Sequence, residues 1–118
     1  MPPSVEEQLA WAAGLFEGEG WFTRSSGYPL AAIRSTDRDV IERFRDVMGR
    51  GTVDPRNKGP GNKVQWHWQT QGHVNVSRFG ELIGPWLGER RRRQLAAVLA
   101  LRPSLRTVEE RHAVAPRQ

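Results

Sequence analysis

Two glutamates separated by one glycine, Glu17 and Glu19, close the apolar run Trp11 to Phe16 and stand directly before Trp21-Phe22-Thr23. A helix that delivers carboxylates from its C-terminal end works against its own macrodipole, which is negative there. A divalent metal ion is the group that would offset this cost. A second set of residues suits a polyanionic partner. Lys63, Gln65, His67 and Gln69 alternate along one stretch, and such side chains contact phosphates and base edges. Any half-buried antiparallel strand has a polar outer face, so the pattern gains meaning only from its company. Arg34, Arg56 and Lys58 lie on neighbouring stretches, and no acid occurs between Lys63 and Gly80. The run Arg90-Arg-Arg-Arg93 places four cations at a helix start, against the dipole, which favours an anionic partner over a solvated helix end. His67 and His73, six apart with no carboxylate between them, make no convincing metal site.

Composition agrees with that reading and narrows it. At 118 residues the chain is expected to form one domain, residues 1–101, followed by a proline-containing tail, 102–118, that frays. The net charge is +5, unevenly spread: the first 19 residues hold four acids and no base, and all 18 Lys and Arg follow from Arg24 onward. A basic body points to nucleic acid. The predominance of Arg over Lys weighs little, since GC-rich coding produces the same bias. The absence of cysteine excludes disulfides and thiolate zinc sites. No apolar run approaches the ~20 residues that span a bilayer, and the N-terminus lacks a basic-then-apolar signal pattern. No membrane partner is expected, and the expected location is cytoplasmic, associated with the nucleoid.

The elements that must position these residues follow from capping and periodicity. Ser4 and Glu7 form a capping box for a helix over 5–18. Its small residues Ala10, Ala13, Gly14 and Gly18 are unusual in a soluble helix and suggest close approach of another helix. Strands over 20–26 and 29–35 flank a turn at Ser25–Pro29. Asp37 caps a helix over 38–48, where Val40, Ile41, Phe44, Val47 and Met48 form one apolar stripe ended by Gly49. A strand over 51–56, a turn at Asn57–Asn62 and a strand over 63–70 follow, the last with Val64, Trp66 and Trp68 on one face. Helices over 75–86 and 89–101 complete the order α-ββ-α-ββ-α-α. Four antiparallel strands covered by helices on one face leave the other free.

These residues resemble the LAGLIDADG homing endonuclease family. Ala12-Ala-Gly-Leu-Phe-Glu-Gly-Glu-Gly20 matches the family's nine-residue signature in chemical type, and Gly84-Pro-Trp-Leu-Gly-Glu-Arg-Arg-Arg-Arg-Gln94 is similar to its later proline-aromatic-leucine segment with a basic helix start. The resemblance implies an α+β fold of αββαββα order with a saddle-shaped antiparallel sheet. It implies a homodimer, because single-motif members pack their motif helices together. Ala13, Gly14, Glu17 and Gly18 would lie at that seam. It further implies a Mg²⁺ site, with Mn²⁺ as a substitute, formed by Glu19 and its symmetry mate with the Gly20 carbonyl as an extra ligand. Glu17 would be structural. Arg90 or Arg91 would lie near the scissile phosphate, and Thr23, Arg34, Arg56, Lys58, Lys63, Gln65, His67 and Gln69 would contact double-stranded DNA. The gene would be carried by an intron, intein or phage, or be free-standing.

Two departures stand out. Glu19 occupies a position where the family often has Asp, and Ser35 and Thr36 replace the longer polar residue that often positions water. The alternative is therefore a nucleic-acid-binding protein on the same scaffold, weak or inactive in catalysis, acting as a transcription regulator or, with RNA as partner, an intron-splicing maturase. A dimer scaffold that binds no nucleic acid fits the basic body least.

Overall fold

A computed structural model describes residues 2–57 and 59–100. The chain runs α1 (Val5–Glu19), β1 (Gly20–Ser25), β2 (Tyr28–Ser35), α2 (Arg38–Met48), β3 (Thr52–Arg56), β4 (Gln65–Gln71), α3 (His73–Ile83), a 3-10 turn (Gly84–Trp86) and α4 (Glu89–Ala100). The α+β order read from the sequence is the observed one. The four strands form one antiparallel sheet in the order β1-β2-β4-β3.

Local chemistry explains the boundaries. The Ser4 hydroxyl accepts from the Glu7 backbone N–H at 3.1 Å, and the Glu7 carboxylate accepts from the Ser4 N–H at 3.1 Å, so the capping box opens α1 as expected. Those bonds, the Ser4 backbone first and its hydroxyl second, hold the Glu7 carboxyl below its ordinary range. The β1–β2 hairpin turns on two residues, Ser26 and Gly27, both at positive φ, which suits the right-handed twist of the flanking strands. The strands are thus one residue displaced from their expected ends at this turn. Pro55 sits on β3, an edge strand, where a missing N–H is tolerated. In α2 the αL residue Gly49 donates its N–H to Arg45 O at 2.8 Å.

Period-two alternation assigns the strand residues to two faces, although on β2 Leu30 and Ala32 of the second face are buried as well. Phe22, Ala31, Ile33 and Trp68 point to one face, where they meet Ala12, Ala13 and Phe16 of α1, Ile41 and Phe44 of α2, Val76, Phe79 and Ile83 of α3, and Val98 of α4. All four helices therefore cover the same face. Phe16 lies at the centre, with ring centroids 4.9 Å from Phe22 and 5.0 Å from Phe79, while Trp68 lies 4.8 Å from Phe44. Trp68 also donates its indole N–H to Arg50 O at 2.9 Å, which satisfies its buried polar atom.

Three expectations change. α1 runs one residue beyond its expected end, to Glu19, and β1 begins at Gly20 as expected; a Cβ on Gly20 would collide with the Phe16 ring, so glycine suits the direct passage from helix to strand. β4 begins at Gln65, where pairing with Arg56 starts, so Lys63 and Val64 belong to the preceding loop and Val64 is exposed. Ala13 is 1% exposed within the chain's own core and cannot contribute to an outer helix seam. The expected tail, 102–118, lies outside the described residues, as does Lys58.

Candidate functional site

The two glutamates at the end of α1 have different surroundings. The Glu17 carboxylate accepts from the Gly88 N–H at 2.6 Å, just ahead of α4, and lies 4.0 Å from Arg91 Nε. Arg91 donates from Nε and Nη2 to the Glu17 carbonyl, both at 3.2 Å, and from Nη1 to Gln94 Oε1 at 2.9 Å. An anion thus meets the N-terminal end of α4, and a cation meets the C-terminal end of α1. Each complements the local dipole. The cost of an acid here, apparent from the sequence, is offset within the chain for Glu17. Glu19 is exposed and makes no ion pair among the described residues.

This geometry also separates the arginines of α4. Arg91 is 8% exposed and each of its three guanidinium nitrogens donates to α1 or to Gln94, so it fixes the helix end. Arg93 pairs with Glu89 at 2.6 Å. Arg90 and Arg92 are exposed, and neither makes an ion pair among the described residues. The Gly20 N–H is used on Phe16 O, and the residue is buried.

Beyond Gly20, the sheet's uncovered face carries the remaining expected residues. The register aligns Trp21, Ala32, Gln69 and Thr52 in one row, Thr23, Leu30 and Gln71 in the next, and Arg34, His67 and Asp54 on the other side of the first. Arg56 and Gln65 pair beyond these. Thr23, Arg34, Arg56, Gln65, His67 and Gln69 therefore share the open face, and Gln65 Oε1 is buried with no hydrogen-bond partner among the described residues. Two members of this face were not anticipated. Asp54 introduces an acid, 2.9 Å from Arg56 Nε. Trp21 lies beside Arg34, whose Cζ is 5.4 Å from the indole centroid, and meets His67 edge-on at 6.2 Å. Both were findable, since each is an even number of residues from a strand position already assigned to this face.

On the outer side of α1, Ala10, Gly14 and Gly18 are exposed at four-residue spacing, and a Cβ at Gly14 or Gly18 would meet nothing within 4 Å. Nothing in the chain's own packing requires glycine at either position. Among the described residues, no three His, Asp or Glu side chains converge as metal donors.

The model of the LAGLIDADG-like domain matches residues 6–84. The chain belongs to the LAGLIDADG family. Among solved structures, the homing endonuclease I-CvuI, in complex with the I-CreI target in 2 mM Mg with the DNA not cleaved, is similar to this LAGLIDADG chain at 20% identity and a TM-score of 0.66, over 81% of this chain and 66% of that one. The archaeal intron-encoded homing endonuclease I-Vdi141I, complexed with DNA, aligns at 16% identity and 0.58 over 70% and 57%. The group I intron-encoded I-CeuI, also complexed with DNA, aligns at 12% and 0.59 over 85% and 56%. At these identities the likeness establishes the LAGLIDADG fold, and this chain spans about two thirds of the I-CvuI chain. No curated protein sequence matches it significantly.

Proposed function

We propose that this LAGLIDADG protein is a DNA endonuclease that acts as a homodimer and requires Mg²⁺, for which Mn²⁺ can substitute. The observation that carries the reading is the contrast at the end of α1. Glu17 is engaged inside the chain, whereas Glu19 is exposed at the head of a strand whose open face bears Thr23 and, across the sheet, Arg34, Gln65, His67 and Gln69. One carboxylate with no other protein or substrate donor does not complete a metal site. Mg²⁺ is commonly held by one or two carboxylates with water and substrate phosphates, so Glu19, its symmetry mate and a DNA phosphate form a fitting donor set. Its place at the outer end of α1 and the cleared stripe Ala10, Gly14 and Gly18 support pairing of two such helices.

The bound ion supplies Lewis-acid polarisation of the phosphate and a more acidic water. The chain's own residues do the rest. Glu19 presents its carboxylate where α1 meets β1, and the adjoining Gly20 carbonyl would be the extra ligand. Arg91 and Glu17 hold that junction to α4. Arg90 takes the phosphate-facing role from the start of α4, and the open face of the sheet binds duplex DNA in the major groove, setting where the backbone lies. Target selection followed by plasmid cleavage tests this. The wild type should cut with Mg²⁺ and bind without cutting in Ca²⁺. Glu19→Gln should bind but lose cutting by about a hundredfold or more, the scale for removing one group that stabilises transition-state charge. Undiminished cutting by Glu19→Gln would refute the mechanism.

One observation favours a second reading, binding without efficient cleavage. The Ser35 hydroxyl accepts from the Asp37 N–H at 3.0 Å, so it closes a local turn at the end of β2, where a longer side chain would position water. Binding in Ca²⁺ with no Mg²⁺-dependent cutting by the wild type would select that reading.

A further inference from the structure

Trp21 is the first side chain on the open face after the motif. Its cross-strand neighbour on that face is Ala32, a small residue only 2% exposed, so the side chains around it close over it. The indole leans along the sheet toward the row of Arg34 and His67, bringing the Arg34 guanidinium 5.4 Å from its centroid and the His67 ring edge to 6.2 Å. Cation–π attraction operates at this separation. Arg34 meets no carboxylate within ion-pair distance among the described residues. Arg56 differs, because its Nε is committed to Asp54. Arg34 is thus held over the indole without an acidic partner, and the residue is exposed, so its N–H donors are not committed to a carboxylate. Arg34 follows Ile33, the partner of Gly20, so it lies at the end of β2 next to the passage from α1 into β1.

We propose that Trp21 is a specificity-positioning residue: it holds Arg34 as the reader of a guanine at the base pair nearest the site of cutting, and His67 buttresses the indole. This rests on the endonuclease reading above. Arginine addresses guanine O6 and N7 in the major groove through two parallel hydrogen bonds. That contact requires a guanidinium with a set plane. An aromatic platform sets the plane without consuming a donor, which an acidic partner would do.

The test combines the free protein with selection from a randomised duplex library in Ca²⁺. In the free protein, the Arg34 δ-proton resonances should be shifted upfield by the indole ring current, and Trp21→Leu should abolish the shift. Normal Arg34 shifts in the wild type would overturn the proposal before DNA is added. In the selection, the wild type should prefer guanine at one symmetric pair of positions by about tenfold, the order that one bidentate contact supplies. Trp21→Leu and Arg34→Lys should each lose that preference at the same positions and leave the others intact. Trp21→Phe, which keeps a platform, should retain part of it, and the salt slope should not change between wild type and Trp21→Leu. Loss at different positions in the two variants, or wild-type preference in Trp21→Leu, would overturn the proposal and leave the endonuclease reading standing. A wild type that binds DNA with no sequence preference would sink both.

Discussion

The two faces of the sheet are made by the same strands and obey opposite rules. On the covered face, Phe22, Ile33 and Trp68 are sealed beneath four helices, and aromatic rings contact one another at about van der Waals range. On the open face, order comes from pairs: Arg34 against Trp21, and Arg56 against Asp54. Because side chains alternate with period two, a residue that holds the fold together and a residue free to read a partner are immediate neighbours along each strand. Stability and recognition are therefore separable at the resolution of a single position.

The sharpest way to break that separation lies on β4. Trp68→Ala should cost about 3–5 kcal/mol, the scale for emptying a large buried aromatic site, measured by denaturant unfolding. Its neighbour Gln69→Ala should change stability by no more than about 0.5 kcal/mol while weakening DNA binding. Equal destabilisation by the two would show that the faces are not independent. Next in size is the tie between α1 and α4. Glu17→Ala should destabilise by roughly 1–3 kcal/mol, because it strands the Gly88 N–H and removes the carboxylate beside the buried Arg91. Smaller still, Asp54→Ala frees Arg56 for phosphate. Non-specific affinity should rise, and the slope of log K against log salt should steepen by about one unit. An unchanged slope would mean that Arg56 does not reach the backbone. The least effect is at Glu7, whose folded-state carboxyl titrates below its unfolded value. Its contribution should be complete above the usual carboxylate range and disappear as pH falls through the depressed value. Hydrogen exchange at the start of α1 should report this, and Glu7→Gln should flatten the profile.

Much of this arrangement could be read from the sequence because it depends on local chemistry. The capping box, the αL glycine after α2 and the alternation in β4 are written in adjacent residues. The assignment of Gln65, His67 and Gln69 to one face needed only parity. The relation between α1 and α4 was harder, since it joins residues more than 70 apart. Spacing alone cannot tell that Arg91 turns inward to the Glu17 carbonyl while Arg90 and Arg92 remain exposed. Ala13 shows the same limit. Small residues on a helix are compatible with an outer seam or an inner core, and only the rotation of α1 about its axis distinguishes Ala13, which is buried, from Ala10, Gly14 and Gly18, which are not. Asp54 is an acid among cations on this face, and only its pairing with Arg56 shows why it stands there.

The direct passage from α1 into β1 has a consequence for anyone wishing to re-engineer this molecule. Glu19 is the last helical residue and Gly20 the first of the strand, with no loop between them and no room for a Cβ on Gly20 beside Phe16. The offset between Glu19 and the first open-face side chain, Trp21, is therefore a covalent constant, a step of about 3.3 Å per strand residue. Redesigned strands can change which letters are recognised. A one-residue insertion at this junction would shift β1 against β2 and exchange the faces of its side chains, sending Trp21 and Thr23 toward the core and Phe22 toward the open face.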